Sequence, residues 1–420
     1  MLNKYLQIAK TLNYTLFIIA VCMLPFPTKL SLYTWGIWLI SWVLEGRFLR
    51  KENLKWHKGL IPLFLLAIWV LCEALSYTWS IDKQGTLNLL FRHVSFWAVL
   101  PLAVWGVNEH YDWRKVAKYF VLSSVVSICV YGVWIYVGAH WDYVQLYHQL
   151  PEHVRTWTYY GEQVSDVKHR LYYGTVLNLA VIAWWSVRPT LFKHGKMKST
   201  IVFFCVLVLL VSGIVLSGSR ANLLALLALG AMAIIVPLKG RLRIWVSVVV
   251  LLLVLGTAVL LFTLHPRFSQ IQVKHIVDRK DYPTYTIEPR INIWHIALQE
   301  PENYIWHGVG AGGNAEYLKP FYASKHLDMW YERQFDTHNQ YLATLIDLGI
   351  FATIFFVFIW LCYPFFYQGR LRQLALLVGL LFALNLFTEN MLDRIDGVIT
   401  VCCAFLTIAL LARSSEKFEV

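Results

Sequence analysis

The chain has 420 residues, of which 58% are hydrophobic, 16% aromatic and only 15% charged, with a formal net charge of +12 at pH 7. So apolar a composition excludes a soluble globular protein of this length. The basic excess does not imply nucleic acid, because Lys and Arg cluster in short loops between apolar runs, where topology and anionic lipid headgroups account for them.

Taken in chain order, Lys4 and Lys10 precede the first apolar run, but no small-residue cleavage site follows and further apolar segments come at once. The N-terminus therefore reads as a span, not a removed signal. Windows such as "TIVFFCVLVLLVSGIVL" (200–216) and "IWVSVVVLLLVLGTAVLLF" (244–262) are long enough to cross a hydrocarbon core about 30 Å thick. Twelve spans are predicted, at about 13–28, 31–45, 60–77, 88–107, 117–138, 171–187, 199–217, 220–237, 244–264, 338–362, 373–388 and 395–412. The basic loops "GRFLRKENLKWHK", "RPTLFKHGKMK", "KGRLR" and "GRLR" all fall on one side, which is read as the cytoplasm, with both termini there. The fold class is thus an all-α polytopic membrane protein in three stretches. Residues 1–264 hold spans one to nine and a smaller outer loop at 139–170, residues 265–337 form a large outer loop, and 338–420 hold spans ten to twelve and a tail. In the large loop, "PRINIWHIALQEPENY" places Ile291, Trp294, Ile296 and Ala297 at helical spacing after Pro289, predicting a short amphipathic helix at the membrane surface. The seven cysteines (22, 72, 129, 205, 362, 402 and 403) lie in or beside apolar segments without CxxC or Cys/His spacing, so they read as packing or lipid-facing residues.

The outer boundary carries three arginines. Arg220, in "LSGSRANLLALL", sits at a tight turn between two spans; Arg290 opens the surface helix; Arg170, in "VKHRLYYG", precedes span six. Each reads either as a snorkelling or solvated cation or as an anion clamp, since a guanidinium is always charged and presents a planar fork of donors. Together they suit a lipid-linked pyrophosphate. His338, in "RQFDTHNQYLATLIDLG", stands where a charged loop becomes an apolar helix: an interfacial residue, or a group poised to take a proton near neutral pH. Asn339 beside it either caps that helix or orients a substrate.

The stretch "HGVGAGGNAEY" contains G-x-G-x-x-G at Gly308, Gly310 and Gly313, but no βαβ unit surrounds it, so a dinucleotide site is rejected. What remains is a tight turn, plain or presenting the N–H groups of Gly308 and Gly310 to a ligand. No D-x-D or H-E-x-x-H occurs, and the outer histidines 140, 148, 153 and 169 lack ligand spacing, which predicts a site without metal or cofactor. In "FTENMLDRIDG", Glu389, Asp393, Arg394 and Asp396 form either a salt-bridge cluster or a support for the arginines and the histidine. Catalytic candidates are His338, Arg220 and Arg290; substrate-binding candidates are Arg170, Asn339, Gly308, Gly310, Glu389 and Asp393.

In this order, "SGSRANLLAL", "PRINIWHIALQEPENYIWHGVGAGG" and "DTHNQYLATLIDLG" resemble the signatures of the O-antigen ligase superfamily, closely over about residues 200–350, and "LSYTWSID" (75–82) resembles its outer connection between spans three and four. The resemblance implies a GT-C-like glycosyltransferase in the bacterial inner membrane with a periplasmic site. It implies a glycan on undecaprenyl pyrophosphate as donor, a sugar hydroxyl of the lipid A core as acceptor, and inversion at the anomeric carbon. By the same resemblance, Arg220 and Arg290 would bind pyrophosphate and His338 would act on the acceptor hydroxyl. Asp347 departs from the pattern, standing where glutamate is usual. An O-antigen or capsule polymerase with the same donor is the nearest alternative. A lipid or glycan transporter is the alternative of another class, and it predicts charges inside spans, discontinuous helices and repeat symmetry, none of which is visible in the sequence.

Overall fold

The computed structural model describes residues 2–146, 164–165, 167–192, 197–236 and 287–414, and between the last two stretches only 238, 240–242, 244–249, 252 and 256. Most of the predicted ninth span, residues 265–286 of the large loop, His148, His153 and the C-terminal tail lie outside the described residues.

Every regular element among the described residues is helical. The first eight long helices are α1 (Leu2–Cys22), α2 (Thr28–Glu45), α3 (Ile61–Ser76), α4 (Lys83–Trp105), α5 (Trp113–Leu146), α6 (Arg170–Phe192), α7 (Met197–Leu216) and α8 (Arg220–Ile235). Three short helices follow, α9 (Ile287–Ala297), α10 (Asn314–Ser324) and α11 (Asp328–Glu332), and then α12 (Gln340–Cys362), α13 (Gly369–Thr388) and α14 (Ile395–Ser414). Predicted spans one to eight and ten to twelve each coincide with a helix. Eight of the described helices are long and apolar enough to cross a membrane, against the twelve spans expected. Helix α8 has 16 residues and is short. Helices α2 and α6 are long enough, but their Trp, Tyr, Ser, Thr and Asn residues lower their mean hydropathy.

One apolar core runs through the bundle, with α1 packed on α2 and α5, α3 on α4 and α12, α14 on α4, and α13 on α6, α8 and α12. Because lipid tails are as apolar as leucine, close packing and interhelical hydrogen bonds hold such helices together. Helices α6 and α8 illustrate both devices. A Cβ on Gly174 would come within 2.8 Å of the Asn222 amide. The Asn222 Nδ2 donates to Leu171 O (2.8 Å) and Ser219 Oγ (2.9 Å), while Asn178 Nδ2 donates to Asn222 Oδ1 (3.1 Å). At the end of the bundle bearing the basic loops, Trp42 Nε1 donates to Gly106 O (2.9 Å) and the Arg413 guanidinium donates to Asn53 O and Val104 O.

At the opposite end, α9 to α11 and the neighbouring turns form a cap with its own core of Ile293, Ile296, Ala297, Tyr304, Val309, Leu318, Tyr322, Trp330 and Ile346. The expected amphipathic helix forms, as α9: Ile293, Ile296 and Ala297 lie in this cap core, Trp294 packs against it, and Ile291 is exposed.

Two further expectations are corrected. Helix α12 is discontinuous, because Gly349 has φ 79° and ψ −178°. The break frees backbone groups that must find partners where water is excluded. The Gly-rich turn supplies them: Val309 N donates to Ile346 O (2.8 Å), Gly310 N to Asp347 O (2.9 Å), and Ile350 N to Ile305 O (2.7 Å). Charges also occur inside the spans, since Glu73 on α3 and His93 on α4 are both buried and 2.6 Å apart. Gly349, Glu73 and His93 all stand inside predicted spans in the sequence itself; what the sequence does not show is the left-handed backbone at Gly349 or that Glu73 and His93 face each other, because a lone Glu or His in an apolar run looks the same whether or not a partner faces it.

Candidate functional site

The site is built on the threshold of α12. Asn339 is its N-cap: the Asn339 Oδ1 accepts from Tyr341 N (3.0 Å) and Leu342 N (3.2 Å), two donors that the helix start leaves unpaired. His338 therefore lies just outside the helix, with φ 46°. A non-glycine residue in that left-handed region carries about 1 to 3 kcal/mol of strain. It is held there because His338 N donates to Asp336 Oδ1 (2.9 Å). Thr337 Oγ1 (3.0 Å) and Asn339 N (2.7 Å) both donate to Asn390 Oδ1, and Trp294 Nε1 donates to Thr337 O (2.8 Å), so residues 336–340 are pinned to the turn after α13 and to α9.

That pinning brings together three residues distant in sequence. His338 Nδ1 lies 2.9 Å from Glu389 Oε1, and Arg290 Nη2 donates to Glu389 Oε2 at 3.2 Å. The Glu389 side chain is 10% exposed, His338 27% and Arg290 34%, so the carboxylate sits behind two partners that reach solvent. Burial raises the Glu389 pKa, but His338, Arg290 and His169 outweigh it and hold the carboxyl at about 2. For His338, burial lowers the pKa, and the carboxylates of Asp336 and Glu389 outweigh it, leaving the imidazole above its ordinary value. An acceptor on Nδ1 places a proton on that nitrogen and leaves Nε2, which has no hydrogen-bond partner among the described residues, to exchange a proton with a ligand.

Around this triad stand the other basic residues. His169 keeps part of its surface in solvent; desolvation of its ring by the packed protein around it lowers its pKa, as do Arg170, Arg394 and Arg290 nearby, against the raising effect of Glu389. Arg170 opens α6 at this end of the bundle, and Arg220 opens α8, which Asn222 ties to Leu171. The two arginines thus head neighbouring helices at the end that carries His338.

The remaining candidates take structural places. Gly308 N donates to Tyr304 O (2.8 Å) and Gly310 N to Asp347 O (2.9 Å), so both N–H groups are taken within the protein. The turn docks on the "LSYTWSID" connection, where Ile81 N donates to Val309 O (2.9 Å) and Ala311 N to Ser76 Oγ (2.9 Å). Asp347, buried, accepts from Gly312 N (3.0 Å) and Asn314 Nδ2 (3.1 Å). Asp393 accepts from Gln340 Nε2 (3.1 Å) and Asn390 Nδ2 (3.2 Å), and burial, then Asp336, pushes its acid up to about 6. These bonds make Asp393 a brace under the site. Asn339→Ala is accordingly expected to cost about 1 kcal/mol of stability, the usual value of a cap, while activity stays within about threefold of wild type. Thermal unfolding and initial rates check this; a large activity loss with an unchanged midpoint would instead make Asn339 a ligand contact.

Sequence reading missed Asp336 and His169 as members of the site. The "DTH" spacing was the available signal for Asp336; nothing in the sequence ties His169 to residue 389. Ligand-type atoms of Asp336, His338 and Glu389 lie within 4.8 Å of one another, a spacing a metal ion can bridge. The Arg290 guanidinium already neutralises Glu389, however, and would repel a second cation beside it.

Residues 205–357 match the family model described as O-antigen ligase. The match runs from α7 into α12 and includes Arg220, Arg290, Gly308, Gly310, His338 and Asn339, while Arg170, Glu389 and Asp393 lie outside it. No curated protein matches the chain.

Proposed function

We propose, from the premise that this chain belongs to the O-antigen ligase superfamily through its residues 205–357, that it moves a glycan from undecaprenyl pyrophosphate to a sugar hydroxyl of the lipid A core at the periplasmic face of the bacterial inner membrane. Ligase- or polymerase-type transfer between glycan-linked lipids follows from the family; the donor, acceptor and sidedness are this reading's own. The observation that carries it is the His338–Glu389–Arg290 cluster: a base oriented by a carboxylate, with a cation on that same carboxylate.

The acceptor hydroxyl attacks the anomeric carbon from the face opposite the pyrophosphate, and the new C–O bond forms as the bond to phosphate breaks. The hydroxyl proton passes to His338 Nε2, and undecaprenyl pyrophosphate leaves with the electron pair. Glu389 fixes the His338 tautomer and stabilises the imidazolium that results. Arg290 gives one of its five N–H donors to Glu389 and keeps others for phosphate oxygens; Arg220 and Arg170 add positive charge at the same rim. Inversion at the anomeric carbon is the outcome.

The pH dependence follows with a definite sign. His338 acts as a base only when neutral, and its pKa is raised, so transfer is expected to rise with pH through a limb above the ordinary histidine value of about 6.5. Glu389→Gln removes a charge that raises that pKa, so the limb is expected to move to lower pH. Initial rates across the pH range in detergent decide this; an unmoved limb would mean that His338 titration does not govern the rate.

The direct test supplies purified protein with undecaprenyl-pyrophosphate-linked glycan and rough lipopolysaccharide. Glycan appearing on the lipid A core supports the ligase. Longer lipid-linked glycan with unmodified core makes the protein a polymerase, and no transfer of either kind overturns the reading.

A further inference from the structure

The pair buried inside the bundle has a second attachment. His93 Nδ1 faces Glu73 Oε2 at 2.6 Å, and its other ring nitrogen, Nε2, lies 2.9 Å from Leu392 O. A carbonyl only accepts, so Nε2 carries a proton and donates it, and the tautomer is set. The next residue back on α4 does likewise: Arg92 Nη1 donates to Asp393 O, so two consecutive α4 side chains grip two consecutive carbonyls of one turn. From the other side, Gln340 Oε1 accepts from Leu392 N (2.7 Å). Three residues before Leu392 stands Glu389, which holds His338 and Arg290.

We propose that His93, backed by Glu73, is a positioning residue for the catalytic centre: its grip on the Leu392 carbonyl fixes the 389–393 turn and so sets where Glu389 meets His338. Burying a carboxylate and an imidazole is costly, and apolar side chains would fill the same space between Trp69 and Phe96. The arrangement is explained by what its outer nitrogen holds. A path for protons or ions across the membrane is disfavoured, because both ring nitrogens are occupied by protein groups and Glu73 and His93 are 2% and 0% exposed. The groups facing His93 are Glu73 from α3, and Leu392 O with the nearby Asp393 carboxylate from the turn.

The effect on activity rests on the transfer reading above, so the test has one arm that does not. In full-length protein in detergent, His93→Leu removes the donor, whereas His93→Gln keeps an amide N–H able to reach the carbonyl. Hydrogen exchange at residues 389–394 is expected to quicken about tenfold or more in His93→Leu and to stay near wild type in His93→Gln, with exchange in α13 unchanged in both. The acid limb of the transfer profile is expected to fall by about one pH unit in His93→Leu, as Glu389 withdraws from His338, and to hold in His93→Gln. Where His93→Leu does not accumulate, His93→Asn, polar but too short to reach, takes its place with the same expectation. Unchanged exchange at 389–394 in a folded variant overturns the proposal, as does a fall in rate without movement of the limb. If wild type transfers no glycan, the functional reading fails, while the exchange arm still decides whether His93 anchors the turn.

Discussion

Replacing His338 with alanine is expected to lower glycan transfer by about 10²-fold or more, within the range of roughly 10²- to 10⁴-fold that positioned acid–base groups contribute. Pyrophosphate is a good leaving group, which favours the lower part of that range, and alignment of two membrane-bound substrates supplies much of the remainder. The measurement is the initial rate of transfer to rough lipopolysaccharide at saturating donor. Alanine at φ 46° is also strained, so a folding effect must be separated from a chemical one. His338→Asn does this: asparagine tolerates the left-handed region yet offers no base. Both variants should keep the wild-type unfolding midpoint within a few degrees and both should lose activity. A rate within about threefold of wild type in His338→Asn would remove proton transfer by this residue from the mechanism.

The largest expected effect on stability is that of Gly308→Ala. A Cβ there would lie 2.2 Å from Asp347 O and 2.4 Å from Leu348 N, backbone atoms that cannot swing aside, and φ is 71°. The substitution must therefore push the Gly-rich turn off α12, exposing the carbonyls of Ile346 and Asp347 that Val309 N and Gly310 N satisfy. A cost of at least about 3 kcal/mol is expected from overpacking, strain and lost hydrogen bonds together. Gly369→Ala serves as the comparison, because its φ of 54° carries similar strain but no atom lies within 4 Å of the added Cβ. Thermal unfolding in detergent should show Gly308→Ala far below Gly369→Ala. Equal midpoints would mean that the turn does not press on the helix break.

Legibility differed between residues for physical reasons. The helices were visible because crossing lipid demands long apolar runs, and each run is a local property of the chain. His338 was visible because a polar residue stood at the start of such a run, and Arg290 because it opened a periodic segment. In sequence Asn339 fits capping and ligand binding alike; its Oδ1 accepts from Tyr341 N and Leu342 N, which makes it a cap. The glycines read as a turn and Asp347-Leu348-Gly349 as a helix end, but that the turn fills the break at Gly349, where φ is 79°, depends on packing that no local pattern carries. For Glu389 the sequence leaves a salt-bridge cluster and a support for the arginines or His338 both open, since 51 residues separate it from His338 and pairing at that distance is a matter of packing.

By itself, then, the sequence determined the membrane-spanning class, the grouping of basic residues in short loops between spans, and the residue types that stand at span ends, because hydrophobicity and charge act on each segment separately. Only the tertiary structure decided which of those boundary residues meet. His338, Glu389 and Arg290 converge because Asn390, Trp294 and the buried His93 fix three separate segments against one another. Hydrogen bonds act over about 3 Å and carry no record of sequence separation, so a network of them is written in the packing of helices and not in the order of residues.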